Sequence, residues 1–398
     1  MRTVIGERES VISGIGMSAV GRGLGRTGLS LTVDSCLEAI ADAGLTRDDI
    51  DGLSTYPGLL REPPGMSPLG VSALKEALNL KLDWYSGAYE VPGQLGAIFN
   101  ACSAIAAGLA KHVLVFRTVT ESSASSTGGR KASVFGTDNS RVSGRFEWSV
   151  PFKSLSAATP IAMMAQRHMH EFGTTREQLA QIPLTCRTNA GRNPTAVFRE
   201  PMTMDQYLNA RVITTPFVLF DCDVPVDGSV ALVVSHVDST SDLRRPPIRI
   251  QAIGSALHGR DSWDQRVDMT TMAAFDAARM MWSRTDLTVA DVDLIEVYDG
   301  FSYLALQWIE ALGFCGHGEG GAFIENGTRI AIDGELPLNT HGGQLSGGRL
   351  HGYGFVHEAC TQLWGIGGDR QVAGGPEVAV VGTGGGPLGG CLLLTTDR

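Results

Sequence analysis

The sequence predicts an α/β protein built from two similar halves, each with a largely parallel sheet. An apolar strand over 11–17 (VISGIGM) precedes an amphipathic helix over 30–43, and another strand begins near Ile50. Strand, helix and strand in this order predict a parallel pair joined by a crossover helix. The same order of elements returns later in the chain, and this repetition is what indicates two halves.

Two pairs of segments carry the repetition. Residues 12–16 (ISGIG) match residues 250–254 (IQAIG), and residues 43–51 (AGLTRDDID) match residues 286–293 (DLTVADVD), with a shift of about 240 residues in both cases. The apolar strand HVLVF, which begins at His112, similarly has a late counterpart in EVAVV at 377–381. A chain of 398 residues is also longer than one core usually supports. We therefore predict a duplicated unit with halves over 1–240 and 245–398.

The composition predicts a soluble globular protein with no nucleic-acid or membrane-surface role. The formal net charge is −10, and the Lys and Arg residues form no long run. No apolar stretch reaches the ~20 residues that a transmembrane helix needs, and the charged opening MRTVIGERES predicts no signal peptide. Seven cysteines are scattered without CxxC pairs or zinc-ligand spacing. This pattern predicts free thiols, no metal site and a cytoplasmic location.

A polar segment rich in Gly and Ser interrupts the first half. It runs from Glu121 to Ser154, and a helix is predicted after it over 159–172. An insertion of this length inside a compact fold is usually a lid, a binding loop or an oligomer contact. We place the whole insertion at about 121–215.

Polar residues follow a strand of the second half. The segment DLIEVYDG at 293–300 predicts a strand that ends on polar side chains, and a helix follows over 301–312. Ligands bind at the carboxyl ends of strands in open parallel sheets, so Glu296, Tyr298 and Asp299 are candidates for a site. The glycine run at 382–390 is a weak phosphate-loop signal, because it lacks a Walker lysine and a strand follows it.

A glycine-rich stretch over 339–358 (NTHGGQLSGGRLHGYGFVHE) predicts a loop that leads into a helix. Six glycines disfavour regular structure and let a ligand approach the backbone. Its polar side chains could transfer protons or contact an anion, and the alternative is a surface turn with solvated histidines. The candidates are His341, Arg349, His351 and Tyr353; Tyr353 could equally be an aromatic that packs the start of the helix.

Four segments together resemble the thiolase superfamily, in its sterol-carrier-protein or lipid-transfer-protein type. RHMHEFGTTREQLAQIPLTCRTNAGRNP resembles the helix and loop after the family's lid, and DGSVALVV its mid-chain strand. VYDGFS resembles the family's HDCF element, and NTHGGQLSGG the loop before its GHP motif. The resemblance implies a thiolase fold, with duplicated βαβαβαββ halves in a five-layered αβαβα arrangement.

The residues that carry acyl transfer in thiolases are replaced. The nucleophilic cysteine falls near Val91, and the GHP histidine falls at Arg349. The second cysteine falls near Val381 or Gly382, and the HDCF histidine is Tyr298. Claisen chemistry through a covalent thioester is therefore improbable.

This pattern is similar to that of the thiolase-like aldolases of steroid side-chain degradation. That resemblance implies retro-aldol cleavage of a β-hydroxyacyl-CoA into a ketone or aldehyde and a short acyl-CoA. It implies coenzyme A as part of the substrate, with no covalently bound cofactor. It also implies a homodimer that binds a small partner with a zinc ribbon and an OB-fold, which would hold the only zinc of a heterotetramer.

Retro-aldol cleavage needs a base, an acid and donors for the enolate, and it needs no nucleophile. We expect proton transfer by Tyr298, whose phenol needs a cationic or hydrogen-bonding neighbour to act near pH 7. Arg349, His351 and His341 are candidates for that neighbour, and either Tyr353 or Arg349 could replace a second acid/base group. The expected substrate-binding residues are Gly343, Ser346, Gly385 and Gly386. Two other functions remain open: an acetyl-CoA acyltransferase or thiolase using Cys102 or Cys315, and a non-catalytic lipid-transfer subunit.

Overall fold

The computed structural model describes residues 5–60, 63–126, 150–152, 154, 156–241, 243–263 and 266–396. Most of the polar stretch in the predicted lid, residues 127–149, lies outside the described residues. No helix in the described ranges has the length and apolar character needed to cross a membrane.

The first half contains five strands of the main sheet with helices between them. Strand β1, helix α1 and strand β2 come first, as predicted. The elements are β1 (Ser10–Met17), α1 (Gly28–Ala43), β2 (Gly52–Thr55), α2 (Val71–Leu78), β3 (Trp84–Gly87), α3 (Gly96–Ala106), β4 (His112–Thr120) and, after the insertion, β7 (Asp227–His236).

The insertion contributes short helices and a two-stranded hairpin where it is described. Its elements are α4 (Glu121–Ser126), α5 (Ala158–Phe172), α6 (Arg176–Leu179), α7 (Gln181–Gly191), α8 (Met204–Leu208), β5 (Val212–Thr214) and β6 (Phe217–Val218). The helix predicted over 159–172 is therefore confirmed within one residue of its start.

The second half repeats the order with fewer strands. Its elements are β8 (Ile248–Gly254), α9 (Ala273–Trp282), β9 (Leu294–Val297), α10 (Ser302–Leu312), α11 (Gly320–Phe323), α12 (Tyr353–Leu363), β10 (Val378–Gly384) and β11 (Gly389–Thr395). The strand that would correspond to β3 is reduced to one parallel bridge between Ile295 and Leu338.

The strands lie in the order β3-β2-β4-β7-β1-β8-β11-β10-β9. In each half the last strand, β7 or β11, is antiparallel to both of its neighbours. The halves meet where β1 pairs with β8 through only two residue pairs, Val11 with Arg249 and Ile12 with Ile248. β7 ends at His236 and β8 begins at Ile248. The predicted boundary between the halves, at 240 and 245, falls between these two strands and stays a prediction.

The helices form three layers around these strands. Helices α1 and α2 pack on one face of the first-half strands, and α9 and α10 pack on one face of the second-half strands. Helices α3 and α12 share a buried core with strands of both halves, and so form the central layer. The result is the five-layered αβαβα arrangement that the resemblance implies.

The repeated Ile-Gly pairs explain the internal match. A Cβ added at Gly16 would overlap the backbone of α1 at Ser35 and Ala39, and a Cβ added at Gly254 would overlap α9 at Ala277. Each helix therefore approaches its own strand at a position where only glycine fits.

Candidate active site

A cavity of about 270 Å³ opens where the carboxyl ends of strands from both halves meet. Tyr56 follows β2 there, Tyr298 follows β9, and Gly384 ends β10. The residues before α3 close one side, so the helix directs its positive N-terminal end toward the cavity. The full lining is Tyr56, Tyr89, Glu90, Gly93, Gln94, Asp261, Trp263, Tyr298, Gly384, Gly386, Pro387 and Leu388.

Tyr298 lies in the cavity wall, as predicted from its place at a strand end. Its backbone N–H donates to the Gly382 carbonyl at 2.8 Å. Its ring packs edge-on against Phe355, with 6.4 Å between ring centroids. Burial and the nearby Asp223 carboxylate raise the pKa of the Tyr298 phenol, while Arg349 acts in the opposite direction. The phenol is therefore protonated at neutral pH.

Arg349 lies behind Tyr298 in a buried ion-pair cluster. Its Nε and Nη2 donate to the two Glu121 oxygens at 3.0 and 2.9 Å, and its Nη1 donates to Asp223 at 2.9 Å. Burial opposes the Arg349 charge, but Asp223 and Glu121 outweigh it and raise the pKa. The predicted cation is present beside Tyr298, but two carboxylates balance its charge.

His351 and Tyr353 also lie behind the cavity without lining it. The His351 Nε2 lies 3.3 Å from Glu121, and burial lowers the pKa of His351 to about 4, so the ring is neutral near pH 7. Tyr353 is fully buried, and its hydroxyl has no hydrogen-bond partner among the described residues. Burial raises the pKa of Tyr353, and the charge of Arg117 opposes that rise.

His341 lies in a different cavity from Tyr298. Its Nδ1 is 2.9 Å from the buried Glu296 carboxylate, and it lines a cavity of about 230 Å³ together with Asn193 and His357. Burial opposes protonation of His341, but Glu296 outweighs it and raises the pKa. The structure therefore does not bring His341 beside Tyr298 as the sequence prediction proposed.

A profile of the thiolase C-terminal domain-like family matches residues 255–391. Over 97% of this chain and 99% of the relative, the sequence is 32% identical to 17-hydroxy-3-oxo-4-pregnene-20-carboxyl-CoA lyase of Mycobacterium tuberculosis. This chain belongs to the thiolase superfamily.

Two further relatives place this thiolase-superfamily chain near the aldolases. The steroid side-chain-cleaving aldolase of Thermomonospora curvata is 33% identical over 98% of both proteins. The solved structure of the Ltp2-ChsH2(DUF35) aldolase superposes with a TM-score of 0.85 and 30% identity over 98% of each chain. These similarities confirm the predicted superfamily and fold, and the prediction of a carbon–carbon lyase that acts on an acyl-CoA.

The four predicted substrate-binding residues fall into two groups, one at the Tyr298 cavity and one away from it. Gly386 lines the Tyr298 cavity, and the neighbouring Gly385 N–H donates to the Leu388 carbonyl at 2.7 Å, so that amide is occupied within its turn. Gly343 packs against Asp299, and the Ser346 hydroxyl accepts a hydrogen bond from Arg187 at 2.9 Å. Neither Gly343 nor Ser346 lines the Tyr298 cavity.

The cysteines of this thiolase-superfamily chain lie outside the Tyr298 cavity. Burial raises the pKa of Cys102, which lies within helix α3 of the central layer, and that of Cys315 to about 12. Cys186 is fully buried, and its thiol donates to Asp299 at 3.5 Å. No cysteine among the described residues is therefore poised as a thiolate beside the Tyr298 phenol.

Buried Asp299 predicts a pH dependence of stability. Its Oδ1 accepts the Gln344 N–H at 2.8 Å, and burial raises its pKa to about 6. An Asp in the unfolded chain has a pKa of ~3.9, which is lower than that of folded Asp299, so the protonated acid stabilises the fold. This stabilisation is complete below about pH 4 and is lost as the pH rises through about 6. The free energy of unfolding of the unmodified chain should therefore fall over this pH range. We expect Asp299→Asn to reduce that fall by on the order of 1–3 kcal/mol.

Urea denaturation at several pH values measures this effect. Exposed Asp333→Asn is the matched control and should leave the profile unchanged. An Asp299→Asn profile as steep as that of the unmodified chain would contradict the assignment.

Several site residues were missed from sequence. Tyr56 and Glu121 follow β2 and β4, so the strand-end rule that selected Tyr298 could also have selected them. Arg117, within buried β4, gave no such signal, because one arginine in an apolar strand has no distinctive spacing.

Proposed function

We propose that this chain cleaves a β-hydroxyacyl-CoA by a retro-aldol reaction in the Tyr298 cavity. The products are a ketone or aldehyde, and a short acyl-CoA. The observation that carries the proposal is the composition of the cavity wall: among the described residues it holds three tyrosines, glycines, the carboxylates of Glu90 and Asp261 and a helix N-terminus, and no cysteine. Such a wall supplies proton transfer and enolate stabilisation without a covalent acyl-enzyme.

The reaction breaks the Cα–Cβ bond of the acyl chain. A base removes the β-hydroxyl proton, the carbonyl forms, and the electron pair of the broken bond passes to the thioester enolate. The α3 N-terminus beyond Gly93 and Gln94 stabilises negative charge on the enolate oxygen. Tyr298, protonated at neutral pH, donates a proton to the α carbon.

The cavity size limits which part of the substrate it encloses. At about 270 Å³ it lies below the ~300–1,000 Å³ typical of pockets that bury drug-sized ligands. It therefore holds the thioester and the β carbon, while the rest of the acyl chain and coenzyme A extend outward. Steroid and other branched acyl chains are both compatible with this arrangement.

A homodimer with a small partner protein is part of the proposal. β3 is an edge strand of the main sheet, and Tyr85 on it is 66% exposed. An unprotected edge with an exposed aromatic suits pairing with a second copy. The Ltp2-ChsH2(DUF35) structure supports a DUF35-type partner, for which we propose a zinc ribbon and an OB-fold, with zinc bound in the partner.

An assay with and without that partner tests the function. The co-purified proteins would be incubated with tertiary β-hydroxyacyl-CoA compounds, one bearing a steroid and one a simple branched chain. We expect equal amounts of ketone and short acyl-CoA from at least one substrate. No cleavage of either substrate, with or without partner, would instead support a lipid-transfer role.

A further inference from the structure

Three tyrosines line the proposed reaction cavity, Tyr56, Tyr89 and Tyr298, and only Tyr298 has been assigned a role. We propose that Tyr56 is the second proton-transfer residue, which takes the β-hydroxyl proton, and that Arg117 is its positioning residue. This inference rests on the retro-aldol function proposed above.

Tyr56 offers the second acid/base group for which the sequence left Tyr353 and Arg349 as alternatives. It follows β2 directly, and its side chain lines the same cavity as Tyr298. Tyr353, by contrast, is 0% exposed and does not line that cavity. Of the two, Tyr56 is the phenol that a bound acyl chain can contact.

Arg117 is a buried cation without enough hydrogen-bond partners. It is 1% exposed, and its Nη1 donates to the Thr118 carbonyl at 3.4 Å. Its Nε and Nη2 have no partner in the described parts of the chain. A buried guanidinium with unpaired donors is costly unless an anion or a hydrogen-bond acceptor compensates it.

The electrostatic neighbours of Arg117 indicate which acceptor that is. The charge of Arg117 acts on Tyr56 and Tyr353, while the nearby Glu121 is already paired with Arg349. Tyr56 is the phenol of that pair that reaches the cavity. Its ionised form would add a negative charge beside Arg117 to that of Glu121, whose two oxygens accept hydrogen bonds from Arg349.

The surroundings of the two phenols divide the roles between them. Tyr298 is buried and faces the carboxylates of Asp223 and Glu121 as well as the cations Arg349 and Arg117; burial and Asp223 favour its neutral form. Tyr56 faces Arg117 from β4 and the Tyr89 phenol from the segment after β3. Burial raises the pKa of Tyr56, Arg117 offsets only part of that rise, and Tyr89 adds to it. Tyr298 is thus suited to donate a proton and Tyr56 to accept one.

The proton balance of the step is complete. The Tyr56 phenolate takes the hydroxyl proton, the Cα–Cβ electron pair becomes the enolate, and the Tyr298 phenol protonates Cα. Tyr56 ends neutral and Tyr298 ends as a phenolate, and transfer of one proton between them through water restores both. No oxidant or reductant is needed.

The first test compares tyrosine variants in the cleavage assay with partner present. Tyr56→Phe should lower kcat by at least about 100-fold with little change in KM, since acid–base groups typically contribute 10²–10⁴-fold. Tyr303→Phe, which alters a buried tyrosine of α10 that does not line the cavity, is the matched control and should keep kcat within about threefold. If Tyr56→Phe kept kcat within threefold of the unmodified enzyme, the inference about Tyr56 would be overturned, while the proposed function would stand. No cleavage by the unmodified enzyme would overturn the proposed function as well.

The second test is the pH profile of kcat. Because the base acts as a phenolate, kcat should rise with pH through the neutral range. The residual rate of Tyr56→Phe should lose that rise. Arg117→Met should move the rising limb of the profile to higher pH, and each pH unit of that shift should lower kcat near pH 7 by about tenfold. Arg117→Lys keeps the positive charge and should move the limb less. If Arg117→Met does not fold, the Tyr56→Phe profile decides: an unchanged rise would overturn the assignment.

Discussion

Replacing Tyr298 with phenylalanine is expected to lower kcat for β-hydroxyacyl-CoA cleavage by about 10²–10⁴-fold. The phenol lines the cavity, and burial keeps it protonated at neutral pH. The substitution removes the proton donor to the α carbon while preserving the ring that packs on Phe355. Steady-state kinetics with one substrate, together with a thermal melt, measure the effect.

Tyr303 provides a matched control for that experiment. It is a buried tyrosine on α10 whose hydroxyl has no hydrogen-bond partner in the described ranges, and it does not line the cavity. Tyr303→Phe should therefore keep kcat close to that of the unmodified chain. Equal rates for Tyr298→Phe and Tyr303→Phe would show that Tyr298 has no catalytic role.

Arg349→Met is expected to lower the free energy of unfolding by about 3–5 kcal/mol, because it leaves buried carboxylates without their cation. Arg349 contacts both oxygens of Glu121 and one oxygen of Asp223, with all three side chains at most 13% exposed. Chemical denaturation in urea measures the loss. Adding Glu121→Gln to Arg349→Met should restore part of it, because fewer charges then remain unpaired.

The matched control is an exposed ion pair. Arg329 and Glu335 are 51% and 60% exposed at their side chains, and such pairs usually contribute no more than about 1 kcal/mol. Arg329→Met should therefore be nearly neutral. An Arg349→Met loss as small as that of Arg329→Met would mean that the buried cluster does not depend on its cation.

The sequence predicted most of the architecture because the informative patterns were local. Strand β1 follows from its short apolar run, which is buried over seven of its eight residues, and helix α1 follows from helical spacing that ends at Gly44. The Ile-Gly repeat marked equivalent strand–helix contacts in both halves. Short β3 and the helices of the insertion other than α5 were missed, because their contacts come from distant parts of the chain.

The candidate site was predicted only in part. Tyr298 was selected because a strand end is recognisable in sequence; the structure places it in the cavity wall with Arg349 nearby, and the catalytic roles of both stay predictions. His341 was a predicted neighbour of Tyr298 but lines another cavity. Nearness in sequence within the glycine-rich stretch does not fix which way a side chain points, and the partner of His341, Glu296, lies 45 residues earlier. Tyr56 was overlooked although β2 ends beside it, since the strand-end rule was applied only to the second half.

The central claim is that this thiolase-superfamily chain cleaves a carbon–carbon bond without a sulfur nucleophile. The most direct measurement follows β-hydroxyacyl-CoA cleavage with and without added free coenzyme A, while mass spectrometry records the intact chain during turnover. The account predicts equal rates under both conditions, ketone and acyl-CoA in equal amounts, and no acyl group on the protein. A requirement for free coenzyme A, or an acyl adduct on a cysteine, would contradict it.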